Sequence, residues 1–239
     1  MKIVALFLVA ALLLGSCGKK SESGVGHVVP KFNAAESDPA ALELADSVML
    51  LAGGDAWSQM KYISWSAPER KLVWDTQRGK LRMENQKENA IYLVDLNSGQ
   101  GRVQQNGNEI TDPTELKNML AKAKFIWMND IYALAMPFRL KDAGATLKYM
   151  GEDSLKGNIY NVLQLTLAND GTSQDKYKVY VDIKAKVIKY WSYFADANQD
   201  TASFTRAWSS DKYGNVMLSA GSGGVKLDDK LPETTFTEF

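Results

Sequence analysis

From residue 62 onward the chain is written in short runs of alternating apolar and polar residues, each closed by turn residues, and this punctuation constrains its fold most. Ile63, Trp65 and Ala67 alternate with Tyr62 and Ser64, and RKLVWDT, GKLRMEN, NAIYLVD and GRVQQNGNEI follow. The connectors APER, TQRG, NQKE and NSGQ are tight enough to join antiparallel neighbours. After a helical interval the pattern resumes in ATLKYMGEDSL, GNIYNVLQLTL, KYKVYVDI, KVIKYWSYFAD, SFTRAWSS and NVMLSAG. About eleven strands are expected, in a mainly β (α+β) fold of sandwich, meander or barrel type. The absence of strand–helix alternation argues against a parallel sheet.

One helix precedes the strand text and a second interrupts it. Ser37-Asp38-Pro39 reads as a cap with proline in the first turn, Leu42, Ala45, Met49 and Ala52 recur on one face, and Gly53-Gly54 ends the helix. The second start, Asp112-Pro113-Thr114-Glu115, supplies a cap, an N1 proline and the glutamate of a capping box. Leu116, Met119, Leu120, Ala123, Ile126 and Trp127 then fall at helical spacing, with Lys117, Lys122 and Lys124 mostly off that face. Pro137 is expected to stop a further helical stretch through Ile131, Tyr132 and Leu134.

Composition excludes much chemistry. The 28 basic side chains balance 28 acidic ones, so nothing favours nucleic acid as a partner. The single histidine, His27, and the single cysteine, Cys17, both precede the strand text. A folded body without them has no Ser-His-Asp or Cys-His pair and no zinc site of the usual ligands, and no cofactor is expected.

The first residues, MKIVALFLVAALLLGSCGKK, read as an export signal: a basic Lys2, an apolar run from Ile3 to Leu14, and small residues before Cys17. LLGSC resembles the lipobox of bacterial lipoproteins, which implies cleavage before Cys17 and acylation of it, with palmitate among the acyl chains. Rival readings are an uncleaved anchor or an ordinary signal with a coincidental cysteine. By the same resemblance, Gly18, where an aspartate would favour inner-membrane retention, points to the outer membrane. The expected organisation is a signal over residues 1–16, a flexible Gly- and Ser-containing tether over 17–36, and one soluble β domain over 37–239.

YKVYVDIKAKVIKYW, with strands from Tyr177 to Asp182 and Val187 to Trp191, is similar to a recurring hairpin of the Lol-type (LolA/LolB-like) lipoprotein carriers. That resemblance implies an incomplete antiparallel barrel of about eleven strands around a central helix, with a greasy cavity between them. AWSQMKYISW, WMNDIYALAMPFRLKDAG and KYGNVMLS resemble passages of an uncharacterised bacterial lipoprotein family over roughly residues 37–230. A tethered protein fits a lipobox better than a free shuttle.

Trp65, Trp74, Trp127, Tyr132, Phe138 and Trp191, with Tyr193, are the candidates to line a hydrophobic-ligand cavity; the competing reading is a plain core. Asp130 is expected to pair with Arg139 or Lys141 and fix a lid, or Arg139 and Lys141 to meet a lipid head group. The carboxylates Asp75, Asp130, Asp142, Glu152 and Asp153 show no spacing that marks an acid–base pair, Asp182 is expected to cap a hairpin, and AGSGGVK reads as a flexible turn. The leading expectation is an envelope lipoprotein, held to the membrane through acylated Cys17, that binds a lipid or a lipoprotein acyl chain without catalysis. The alternative is a protein-interaction or envelope-stress-sensing module that takes an envelope protein as its partner. A hydrolase ranks last.

Overall fold

The computed structural model describes residues 32–168, 174–219 and 223–239; the signal, Cys17 and His27 lie outside them. Helices α1 (Pro39–Leu51) and α2 (Gly54–Gln59) lead into strands β1 (Tyr62–Ala67), β2 (Arg70–Asp75), β3 (Lys80–Asn85), β4 (Ala90–Asp95), β5 (Gly101–Gln105) and β6 (Asn108–Glu109). Helix α3 (Pro113–Arg139) follows. Then come β7 (Ala145–Leu155), β8 (Asn158–Ala168), β9 (Gln174–Asp182), β10 (Ile188–Phe194), β11 (Phe204–Ala207), β12 (Ser210–Tyr213), β13 (Val216–Ser219) and β14 (Gly223–Asp228).

Every pairing is antiparallel. One sheet has the order β14-β1-β2-β3-β4-β5-β6, the other β11-β10-β9-β8-β7, and β12-β13 form a separate hairpin. The sheets do not close into a barrel, and α3 lies among the strands, as the sequence led one to expect. Fourteen strands replace the expected eleven or so among the described residues: SFTRAWSS splits into β11 and β12, the two-residue β6 caps the first meander, and Gly223–Asp228, expected to be a flexible turn, is the strand that pairs with β1. Glycines there hide an edge strand because they contribute no alternating apolar signal. Glu152 and Asp153 lie within β7, at a register shift where Gly151 takes φ +81°.

Period-two alternation places one apolar set inward. In the first sheet Ile63 pairs with Trp74, Trp65 with Leu72, Leu72 with Met83, Leu81 with Val94 and Met83 with Tyr92, all buried. In the second, Leu147 faces Leu165, Leu165 faces Tyr177, and Val179 lies between Leu163 and Trp191. Leu120, Ala123, Trp127, Ile131 and Leu134 form the stripe of α3 that completes this core.

Asp112 caps α3 as expected, its carboxylate accepting the Glu115 N–H at 2.8 Å. The start of α1 is different. Pro39 is the first helical residue, but Ser37 Oγ and Asp38 Oδ2 accept from the backbone N–H groups of Leu147 and Tyr149, each at 3.0 Å. The cap residues thus cover the free edge of β7. The buried face of α1 is Ala41, Leu44, Ala45 and Val48, a partial turn away from the expected stripe. Residues assigned to the tether already engage the domain: Asn33 N–H donates to the Ala145 carbonyl at 3.0 Å.

Candidate functional site

The site is built around a proline. Pro137 has no N–H, so the Ala133 carbonyl four residues earlier loses its helical donor. Pro137 does not stop the helix as expected; α3 continues to Arg139 across a break at Ala135 (φ −132°, ψ 33°). The indole N–H of Trp208 replaces the missing donor, reaching Ala133 O at 3.2 Å. This pins the segment after β11 onto α3.

One turn earlier on α3, Asp130 collects three donors. Arg70 gives it Nη2 at 2.7 Å and Nε at 3.3 Å, and Trp65 gives its indole N–H at 3.1 Å. The bidentate guanidinium and the indole hold the β1–β2 hairpin against the helix. Asp130 therefore pairs with neither Arg139 nor Lys141, which corrects the expected lid contact. Arg139 pairs with Asp142 at 2.5 Å and Lys141 with Asp46 at 2.5 Å. Asp142 lies three residues beyond Arg139, a spacing visible in the sequence, whereas Asp46 projects from α1, an approach that sequence spacing does not reveal.

Where these contacts meet, a cleft of about 480 Å³ opens at the seam between the sheets. Strand β1 contributes Trp65, Ser66 and Ala67, α3 contributes Asp130 and Ala133, and the terminal strands of the two sheets contribute Arg206 from β11 and Gly223 from β14. Pro68 completes the rim. Its size lies within the range of small-molecule pockets.

The six aromatics expected to line a cavity are all buried in the main core. Only Trp65 among them borders this cleft. The others pack on aromatic neighbours: Trp74 meets Trp127 edge-on at 5.2 Å, Phe138 stacks on Trp57 at 4.3 Å, and Tyr132 stacks on Tyr177 at 5.0 Å. Trp191 meets Phe204 edge-on at 5.3 Å and tilts against Tyr177. Arg139 lies between Trp127 and Tyr132, its Cζ 5.5 and 5.3 Å from their rings. Among the described residues the indole N–H groups of Trp74 and Trp127 and the Nε of Arg139 are buried without a hydrogen-bond partner.

Behind this column Tyr132 donates to Asp142 at 2.8 Å. Burial pushes the Asp142 carboxyl above the usual carboxylate range, more than Arg139 and the Tyr132 hydroxyl draw it down, and burial likewise raises the Tyr132 hydroxyl. Asp75 accepts the backbone N–H groups of Gln77 and Arg78 and pairs with the Arg78 guanidinium. Asp182 caps its hairpin through Lys184 and Ala185, as expected. No group of three or more metal-ligating side chains occurs among the described residues. Arg70, Trp57, Trp208 and Arg206 were missed by sequence reasoning. Only Arg70 carried a signal, in the APER turn, and nothing in that turn says it faces α3.

The fold and site define a class: an open antiparallel half-barrel of two sheets around a helix, with a cleft at the unpaired seam. Residues 94–233, more than half of the chain, match a family of unknown function (DUF6503), and the protein belongs to that family. No curated protein matches the sequence. Among solved structures, the chain is similar to a LolA superfamily protein from Nitrosomonas europaea, with 14% identity, 83% of this chain and 97% of the other covered, and a TM-score of 0.38. It is also similar to the lipoprotein LppX of Mycobacterium tuberculosis, with 11% identity, 82% and 99% covered, and a TM-score of 0.30. Likenesses this distant carry no residue and no ligand across.

Proposed function

We propose that the protein is an envelope lipoprotein, anchored through acylated Cys17 and facing the periplasm from the outer membrane, that binds a hydrophobic ligand reversibly and without catalysis. The ligand is a lipid or a lipoprotein acyl chain. The observation that supports this reading is the seam cleft, because β11 and β14 end their sheets without pairing with each other and the space between them is bordered by Trp65 of β1 and by Asp130 and Ala133 of α3. Apolar wall next to an open edge is the kind of surface that binds by desolvation. A longer chain would extend into the aromatic column by displacing ring against ring. A non-catalytic role accords with the carboxylates: Asp75, Asp130 and Asp142 are each held by an arginine.

The test is uptake. Folded, delipidated protein is incubated with radiolabelled palmitate and passed over a desalting column, and lipids co-purifying with the acylated protein are identified by mass spectrometry. Retained label that is lost on Trp65→Glu supports the reading. A folded sample that retains none and carries no lipid beyond its own anchor removes it. A second reading, a docking surface for an envelope protein, is favoured by Phe125, 62% exposed on the outer side of α3. Unchanged pull-down of envelope proteins by Phe125→Ser would remove that one.

A further inference from the structure

Six arginines occur in the chain, and five of them are held by carboxylates: Arg70 by Asp130, Arg78 by Asp75, Arg82 by Glu84, Arg102 by Glu109 and Arg139 by Asp142. Arg206 is the exception among the described residues. It stands on β11 opposite Trp191, with its Cζ 4.7 Å over the ring of Phe204, and it forms one wall of the seam cleft. The carboxylate in the cleft is Asp130, and Asp130 is already taken up by Arg70 and Trp65. Its single negative charge is already balanced by Arg70, so it does not compensate a second guanidinium across the cleft, and a cationic ligand would find it neutralised. An anion would find Arg206 free.

Apart from Ser66 and Gly223, the remaining wall is apolar: Trp65, Ala67, Pro68 and Ala133. A guanidinium without a partner beside an apolar wall fits an amphiphile with a negative end, and its planar fork suits two oxygens at once. Arg139 and Lys141, the cations that the sequence suggested for a head group, are occupied by Asp142 and Asp46. Stacking on Phe204 holds the Arg206 head in place without neutralising it, so less side-chain freedom is lost on binding.

We propose that Arg206 is the head-group residue of the seam cleft, receiving the carboxylate or phosphate of an anionic amphiphile whose chain lies along Trp65, Pro68 and Ala133. This rests on the hydrophobic-ligand reading and adds to it the charge of the ligand and the residue that reads it.

Three probes with the same chain separate the alternatives: palmitic acid at pH 8, its methyl ester, and hexadecyl phosphate, each titrated into the full folded protein at low and high salt. Wild type is expected to bind the two anions at least about fivefold more tightly than the ester, with the excess shrinking as salt rises. Arg206→Gln should abolish the excess and leave ester binding unchanged, while Lys141→Met should change neither. The larger of the two anion gains identifies the head group as carboxylate or phosphate. Because Arg206 is exposed, its replacement should leave the thermal midpoint in place. Equal binding of acid and ester by wild type, or a preference that survives Arg206→Gln, overturns the Arg206 assignment alone. Failure of all three probes to bind overturns the hydrophobic-ligand reading and this assignment with it.

Discussion

Single side chains carry the polar joints of an otherwise apolar interior. Asp142 is the clearest case, because its ionisation opposes its burial. Its carboxyl is raised by desolvation, against the pull of Arg139 and of the Tyr132 hydroxyl. The folded state therefore holds the Asp142 proton to higher pH than the unfolded chain, whose aspartates titrate near about 3.9. This contribution costs nothing below that pH, destabilises the fold progressively as pH rises from there through the folded value, and is constant above it. Carboxyl carbon NMR should show Asp142 titrating above an ordinary aspartate, and Tyr132→Phe, which removes a donor to the ionised form, should move it higher still. A midpoint below about 3.9 in wild type would contradict this assignment. Trp208 makes the same point for the backbone: its indole meets the one carbonyl that Pro137 orphans, and only their approach in space joins them.

The corner between α1 and α2 is a position where a side chain would not fit. Gly53 separates α1 from α2 with φ +94°, and a Cβ built there falls 2.0 Å from the Asn215 carbonyl oxygen in the β12–β13 turn. Gly99, in the β4–β5 turn, shares the left-handed conformation (φ +71°) but has open space around it. Gly99→Ala should therefore cost backbone strain alone, about 1–2 kcal/mol. Gly53→Ala adds the clash with backbone and should cost about 2–4 kcal/mol in urea unfolding. Equal losses at the two sites would mean that the helical corner does not bear on the hairpin. The β4–β5 turn also shows why hairpin ends were readable: Asp95 accepts Asn97 and Ser98 N–H groups, as Asp75 and Asp182 do in their own turns. Lys80 and these turn N–H groups hold the Asp95 carboxyl below the usual range.

At the scale of the molecule, two antiparallel sheets share one core with α3 yet leave β11 and β14 unpaired at the seam. Amides of β3 and β9, which have partners on both sides, should exchange with deuterium slowest, and those of β11 and β14 among the earliest of the strands. Protection of β11 and β14 equal to that of β3 and β9 would mean that the seam is closed in solution, and the cleft would lose its entrance. On the opposite side the chain's last residues cover the outer face of the first sheet, where Arg82 and Arg102 donate to the Thr235, Thr237 and Glu238 carbonyls.

Legibility followed the range of the forces involved. Strands with alternating side chains, the Asp112 cap and the stripe of α3 were readable because periodicity and capping act over a few residues. Gly223–Asp228 was not, because its strand character comes from pairing with β1 and not from its own composition. The aromatics were legible as interior groups, and their mutual stacking was not.

Alternation, turn chemistry and residue inventory are local properties, and from them the chain alone specifies an antiparallel, mainly β body around one long helix, its strand text free of histidine and cysteine. Packing in three dimensions sets the rest: Asp130 answers Arg70, Trp208 completes the helix at Ala133, and Arg206 is left without a carboxylate at the seam. Charge partners are chosen by which elements approach, and that choice is made when the two sheets close on α3.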